Sequence, residues 1–228
     1  MRHIGIVACS AEGAALCYRQ ICHQSFRMLG ENQHPRITLD AIPLASWMPA
    51  FTAGDYKGVA AIMLESAQVL AQAGADFAIC PDNSAHLAWD QVMAATPIPW
   101  LHIAEVLAAE AQSRGYETIG VLGTEFTMNG HVYPDVLQRF GMKAVVPDAD
   151  ERAEVDRIIF DELLNGDLRE ESRQEYVEVI ERLQRRGCDA VALACTEIPL
   201  LIGPGDSPLP TLDSTRLLAG AALRHAIE

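Results

Sequence analysis

Short apolar runs alternate with longer amphipathic stretches along the chain. HIGIVAC (3–9) has the length and apolar content of a strand, and EGAALCYRQICHQSFRML (12–29) reads as a helix with Leu16, Ile21 and Phe26 among its apolar positions. RITLDAIPL (36–44) predicts a second strand. YKGVAAIMLESAQVLAQAG (56–74) predicts a helix that Gly74 ends, because glycine takes the left-handed conformation of a helix C-terminus at no steric cost. Further strands are predicted at DFAIC (76–80), IPWLHI (98–103), TIGVLG (118–123), AVALAC (190–195) and LPTLD (209–213). Helices are predicted over 104–114, 128–140, 151–164 and 170–186, with one more closing the chain. Such alternation places the protein in the α/β class, with a mostly parallel sheet and helices on both faces. Ligands of such sheets bind at the carboxyl ends of the strands.

The pattern also repeats. HIGIVACS (3–10) is similar to TIGVLGTEFT (118–127), and QAGADFAICPDNSAH (72–86) to RRGCDAVALACTEIP (185–199). Gly5 to Gly74 spans 69 positions and Gly120 to Gly187 spans 67. The chain thus reads as two similar halves, each an IG-strand followed by a G-x-D-strand.

The repeat singles out two residues. Asp82 lies eight positions after Gly74, and Cys195 lies eight positions after Gly187. Each follows an apolar strand and precedes a polar pair, Asn83-Ser84 or Thr196-Glu197. Taken alone, the cysteine reads as core and the aspartate as a turn or cap residue; their matched offsets favour chemistry. If the halves pack about a pseudo-twofold axis, the two side chains face one cleft. That arrangement suits proton exchange on opposite faces of one carbon, which needs two groups of opposite starting protonation. A free thiol titrates near 8.5 and an aspartate near about 3.9, so the carboxylate is the resting base. Alternatively, burial and a nearby thiolate raise Asp82 until it donates and Cys195 becomes the base.

Composition narrows the partners. The 228 residues carry 31 acidic and 17 basic side chains, a formal net charge of −14, which disfavours nucleic acid and anionic membranes. The six cysteines show no metal-finger spacing and no disulfide framework, and the histidines show no metal-ligand spacing. The start lacks the pattern of a signal peptide, and no stretch approaches the roughly 20 apolar residues of a membrane span. A reduced, cytoplasmic protein without metal is expected. Cys17, Cys22, Cys80 and Cys188 read as packing residues, and His86 reads as either a packing residue or a tuner of Asp82.

Several stretches together resemble the cofactor-independent aspartate/glutamate racemase family, nearly end to end. They are HIGIVACS, PDNSAH (81–86), LHIAE (101–105), LGTEFTM (122–128), DADERAEVDRIIFDEL (148–163), ACTEIPLLI (194–202) and LPTLDST (209–215). The resemblance implies two similar α/β domains, each a mostly parallel four-stranded sheet flanked by helices, pseudo-twofold related. The expected boundaries are 1–97 with 208–228 for the first domain and 98–207 for the second, with the active site in the cleft between them, usually in a homodimer. It also implies a two-base mechanism with one cysteine per domain and no pyridoxal phosphate or other cofactor.

Two departures stand out. The position of the family's first thiol is Asp82 here, so the usual Cys/Cys pair becomes Asp/Cys. Glu154 stands where members acting on acidic amino acids often carry lysine, so a dicarboxylate would be repelled if Glu154 lines a side-chain pocket. Ser10, Asn83, Ser84, Thr124, Thr127 and Thr196 are expected to hold the substrate carboxylate, or else to act as N-caps. Glu197 is expected to accept the substrate ammonium, or to cap its helix. The leading expectation is an amino-acid racemase or epimerase, an isomerase using Cys195 and Asp82. The alternatives are a single-thiol lyase or decarboxylase acting on malonate-type acids, and a non-catalytic ligand-binding homologue.

Overall fold

The first strand, β1 (Ile4–Ala8), is buried along its whole length, which suits only an interior position in a sheet covered on both faces. The computed structural model, which describes residues 1–228, places it there. After β1 come α1 (Ala11–Leu29), β2 (Ile37–Ala41), α2 (Leu44–Ala53), α3 (Tyr56–Gln72), β3 (Phe77–Ile79), a 3-10 turn at Ser84–Ala88, α4 (Trp89–Met93) and β4 (Trp100–Leu101). The four strands form one parallel sheet in the order β2-β1-β3-β4. Helix α1 buries Ala14, Cys17, Ile21 and Cys22, and α3 buries Val59, Met63, Ala67 and Leu70. Each fully buried Val, Leu, Ile or Met among them contributes about 1.5–3 kcal/mol.

A second set of elements repeats the plan. It comprises α5 (Ile103–Ser113), β5 (Thr118–Leu122), α6 (Glu125–Met128), α7 (Val132–Arg139), β6 (Lys143–Val145), α8 (Ala149–Asp161), α9 (Glu170–Arg185), β7 (Ala190–Leu193), α10 (Ile198–Leu201) and β8 (Thr211–Asp213). Its sheet is parallel and ordered β6-β5-β7-β8, the same permutation as the first. Helix α11 (Ser214–Ile227) closes the chain. The core of this sheet's helical side gathers Leu122, Val155, Tyr176, Leu183, Leu193 and Ile198.

The chain divides into two compact units, Met1–Ile103 with Thr215–Glu228, and Ala104–Ser214. These limits differ from 97/98 and 207/208 because strand pairing decides them. Trp100 and Leu101 pair with Ala78 and Ile79, so β4 belongs to the first sheet. Thr211–Asp213 pair with Val191–Leu193, so β8 belongs to the second.

Three local features depart from the sequence pattern. Helix α2 forms despite Pro49 in its interior, held by buried Trp47 and Phe51, whose rings stack at 6.2 Å. The helix expected over 128–140 is α7, which starts only at Val132; Met128 instead ends the short α6, and residues 129–131 are non-helical. The edge strand β6 is three residues long, with Lys143 exposed, too short and too polar to register as an apolar run. No helix is long and apolar enough to cross a membrane.

Candidate functional site

The repeat extends to individual hydrogen bonds, and this fixes the equivalence of the two strand ends. Gly5 pairs with Ala78 across β1 and β3, and Gly120 pairs with Val191 across β5 and β7. Gly74 and Gly187 both take positive φ, +86° and +89°. Ala75 N–H returns to Leu70 O at 3.0 Å, and Cys188 N–H to Leu183 O at 3.1 Å. The next acids act alike: Asp76 accepts the His3 N–H at 2.6 Å, and Asp189 accepts the Thr118 N–H at 3.2 Å. A methyl on Gly5 would meet Leu70 at 3.0 Å, and one on Gly120 would meet Leu183 at 2.9 Å. Each helix therefore packs directly on a strand glycine. With this frame common to both units, Asp82 beyond β3 and Cys195 beyond β7 occupy corresponding places.

Asp82 is half-buried in the loop after β3. Its Oδ1 accepts the Ala85 N–H at 2.9 Å, and its carbonyl lies 2.8 Å from Nδ1 of His86. Asn83 and Ser84 are buried beside it, and the Asn83 carbonyl accepts the His86 N–H at 3.2 Å. The Cys80 thiol is fully buried; burial pushes it well above the ordinary thiol range, and the Asp82 carboxylate adds to the rise. Cys80 is thus a packing thiol, inert as a nucleophile at neutral pH.

Cys195 follows the buried β7 and is 7% exposed, so its thiol sits at the edge of the core. The thiol donates to Oε2 of Glu197 at 3.0 Å, and the Thr196 hydroxyl donates to the same oxygen at 2.6 Å. Glu197 is 2% exposed. One oxygen of Glu197 is therefore engaged by its own neighbours, an arrangement the sequence did not suggest when it offered this carboxylate to a substrate ammonium. Tyr176 also faces this group: burial first, then Cys195, Asp156, Glu162 and Glu197, push its phenol well up, and its hydroxyl donates to Val155 O at 3.2 Å.

The remaining expected residues divide by role. Ser10 caps α1 by accepting the Gly13 N–H at 3.2 Å, and Thr124 caps α6 by accepting the Thr127 N–H at 3.4 Å. The Thr124 and Thr127 hydroxyls lie 3.4 Å apart, and Thr127 is buried. All of these sit just beyond strand ends. Glu154 does not: it lies mid-way along α8 in a two-pronged ion pair with Arg157, at 2.7 and 3.0 Å. The Arg157 hydrogen bonds hold its carboxyl below the ordinary glutamate range. Arg157 also reaches Glu162 at 3.0 Å, so one guanidinium is shared between two carboxylates.

Three neighbours of these residues were not read from the sequence. Gly123 lies between β5 and Thr124, where a methyl would come 2.7 Å from the Ala194 carbonyl; its signal was the glycine at the end of TIGVLG. His102 and Trp89 enclose His86, with ring centres 4.7 and 5.4 Å from it; Trp89 is three positions on, but His102 is 16 positions away and carries no local signal. No group of three or more His, Cys, Asp or Glu side chains is arranged to hold a metal ion.

Comparison with known proteins bears on the fold and the family. Residues 6–222 match the family model described as Asp/Glu/Hydantoin racemase. The chain is 25% identical over 170 residues to the broad specificity amino-acid racemase RacX of Bacillus subtilis, covering 72% of this chain and 71% of that one. A Yersinia pestis crystal structure, provisionally called an Asp/Glu racemase, superposes with a TM-score of 0.91 at 32% identity over 100% of both chains. An aspartate racemase homologue from Pyrococcus horikoshii gives a TM-score of 0.86 at 28% identity, again over 100% of both.

Proposed function

The chain belongs to the Asp/Glu/hydantoin racemase family, and from that premise we propose that it is a cofactor-independent amino-acid racemase in which Asp82 and Cys195 exchange the α-proton. The observation that carries this reading is the correspondence of the two residues in a frame repeated down to its glycines and strand registers. Inversion of an α-carbon needs one group that removes a proton and one that supplies a proton from the other side. In one direction the Asp82 carboxylate takes the α-proton and the Cys195 thiol gives its own, leaving a carboxylic acid and a thiolate. The opposite direction starts from that pair and reverses both transfers. The two groups then titrate as a unit.

Glu197 bears on the thiolate form. Its carboxylate already accepts the Cys195 S–H, which supports its taking that proton when Cys195 must begin as the base. The strand-end set of Ser10, Asn83, Ser84, Thr124, Thr127 and Thr196 supplies hydroxyl, amide and helix-start N–H groups of the kind that bind a carboxylate without a lysine. The substrate is taken to be a free amino acid, the class that the Bacillus subtilis relative's name gives for that protein. The working picture is a cytoplasmic homodimer with no nucleic-acid or membrane partner, in keeping with the −14 charge.

The test is a screen of all amino acids in heavy water without added cofactor, read by chiral chromatography and mass. Racemisation with α-deuterium in both enantiomers is expected, abolished in Cys195→Ser and in Asp82→Ala. Full activity in both variants refutes the pairing. Turnover of malonate-type acids with untouched amino acids identifies a lyase instead, and ligand-induced thermal stabilisation without any turnover identifies a binding protein.

A further inference from the structure

We propose that His86 is the positioning residue for Asp82, clamping the backbone that carries the carboxylate and tying it to the start of α5. The inference rests on the reading that Asp82 moves the α-proton. β3 ends at Ile79, so Asp82 stands three residues past the last ladder position and is held by loop bonds instead. Its own side chain accepts the Ala85 N–H at 2.9 Å, and the His86 ring lies 2.8 Å from the Asp82 carbonyl.

The ring's tautomer follows from its second partner. The Ile103 N–H points at Nε2 at 3.3 Å, so Nε2 accepts and Nδ1 carries the hydrogen that goes to Asp82 O. His86 thus bridges the loop after β3 and the first residue of α5, one acceptor and one donor in a fixed order. The ring is 1% exposed, stacked on Trp89 at 5.4 Å and met edge-on by His102 at 4.7 Å. Trp89 and His102 are themselves 4.5 Å apart, so the three rings pack mutually, two of them walling the third. Burial, then His102, keep the imidazole neutral, which preserves the acceptor that Ile103 needs. A purely space-filling ring has no need of this donor–acceptor order. Placement of a proton-transfer group is sensitive: a shift of about 1 Å can cost 10²-fold in rate.

Three variants separate the clamp from bulk. In His86→Asn the side-chain amide nitrogen sits near the Nδ1 position of the lost ring, so that variant keeps the donor to Asp82. His86→Gln reaches the Nε2 position instead, and His86→Leu keeps only volume. The expected result is a roughly 10- to 100-fold fall in kcat for His86→Gln and His86→Leu, with KM within about threefold and most of the loss restored in His86→Asn. A second readout needs no activity: hydrogen exchange at the Ala85 amide, bonded to Asp82 Oδ1, should speed by at least about tenfold in His86→Gln and His86→Leu, while the β1 amides stay protected. Unchanged Ala85 protection in both variants, or His86→Asn no better than His86→Gln, overturns the proposal. Asp82→Ala run in parallel distinguishes the two failures: full activity there refutes the role of Asp82, while Ala85 exchange still decides the clamp.

Discussion

The thiol of Cys195 and the carboxylate of Glu197 share a buried hydrogen bond of 3.0 Å, and the Thr196 hydroxyl stabilises the same oxygen at 2.6 Å. In the mechanism proposed above, this carboxylate takes the thiol proton when Cys195 acts as the base. Glu197→Gln keeps the shape and removes the proton acceptor. Because the equilibrium constant of a racemase is one, kcat/KM should fall equally in both directions, by roughly 100-fold on the scale of a lost general base. The α-deuterium wash-in should be asymmetric: strongly reduced for the enantiomer that presents its proton to Cys195, and largely retained for the one that faces Asp82. Equal wash-in from both enantiomers at wild-type rates would show that Glu197 is only a structural partner.

The buried His86 gives the protein an acid-sensitive stability. Its neighbours that titrate are His102, on the β4 side, and Asp82, whose carbonyl it contacts. Burial holds the folded-state imidazole well below the ordinary range, with His102 adding to the depression. In the unfolded chain the ring titrates near about 6.5. Below that pH the unfolded state binds one more proton than the folded state, so unfolding free energy falls as pH falls. The slope from this residue approaches about 1.4 kcal/mol per pH unit until the folded-state ring itself protonates. Urea unfolding of the wild type and His86→Asn at pH 7.5, 6.0 and 5.0 should show a shallower acid loss in the variant. Parallel curves would assign the loss elsewhere.

Sequence pattern carried much of this fold because its central strands are apolar throughout. β1, β3, β5 and β7 are buried on both faces, or nearly so, and each registers as an uninterrupted run. The duplication was legible through Gly5, Gly74, Gly120 and Gly187, which recur because helices must approach strands at the first kind and end at the second. β6 was invisible because a three-residue edge strand beginning with an exposed lysine has little to bury. α2 was hidden by Pro49, whose penalty is overridden by the buried Trp47 and Phe51. At the strand ends, residue type marked Cys195 and Asp82, but not who bonds to whom. The Cys195–Glu197 contact depends on how the chain turns after β7, and the His86 box on residues 89 and 102 meeting in space. The pairing of Glu154 with Arg157, one helical turn away, likewise follows only from how α8 orients the two side chains.

Helix α8 offers a direct test of local design. Asp148 accepts the Glu151 N–H at 3.1 Å, and Glu151 returns the bond to the Asp148 N–H at 3.0 Å, a complete capping box. Glu151 is also held by Arg182 of α9. Asp148→Ala removes one half of the box and should cost about 1 kcal/mol in urea unfolding. Asp148→Ser should recover most of that loss, since a serine hydroxyl accepts the same N–H. Failure of serine to recover it would place the effect in helix-dipole charge rather than in the cap.

Gly123 links stability to the thiol. A methyl there would stand 2.7 Å from the Ala194 carbonyl oxygen, with the Thr127 side chain at 3.1 Å on another side. The carbonyl has little room to retreat: the Ala194 N–H is bonded to Leu122 O at 2.7 Å, and the next residue is Cys195. Thr127 is 2% exposed and packed. Relief must therefore come from a backbone shift that carries Cys195 with it. Gly123→Ala should destabilise by about 1–3 kcal/mol, the range for forced overpacking. If Cys195 acts as proposed, it should also lower racemisation by at least about tenfold under conditions where the variant remains folded, because the thiol is displaced. Gly205→Ala is the control, since nothing lies within 4 Å of a methyl at that position. Urea unfolding and chiral assays on the two variants give the comparison, and a Gly123→Ala protein that is destabilised yet fully active would separate this contact from the chemistry.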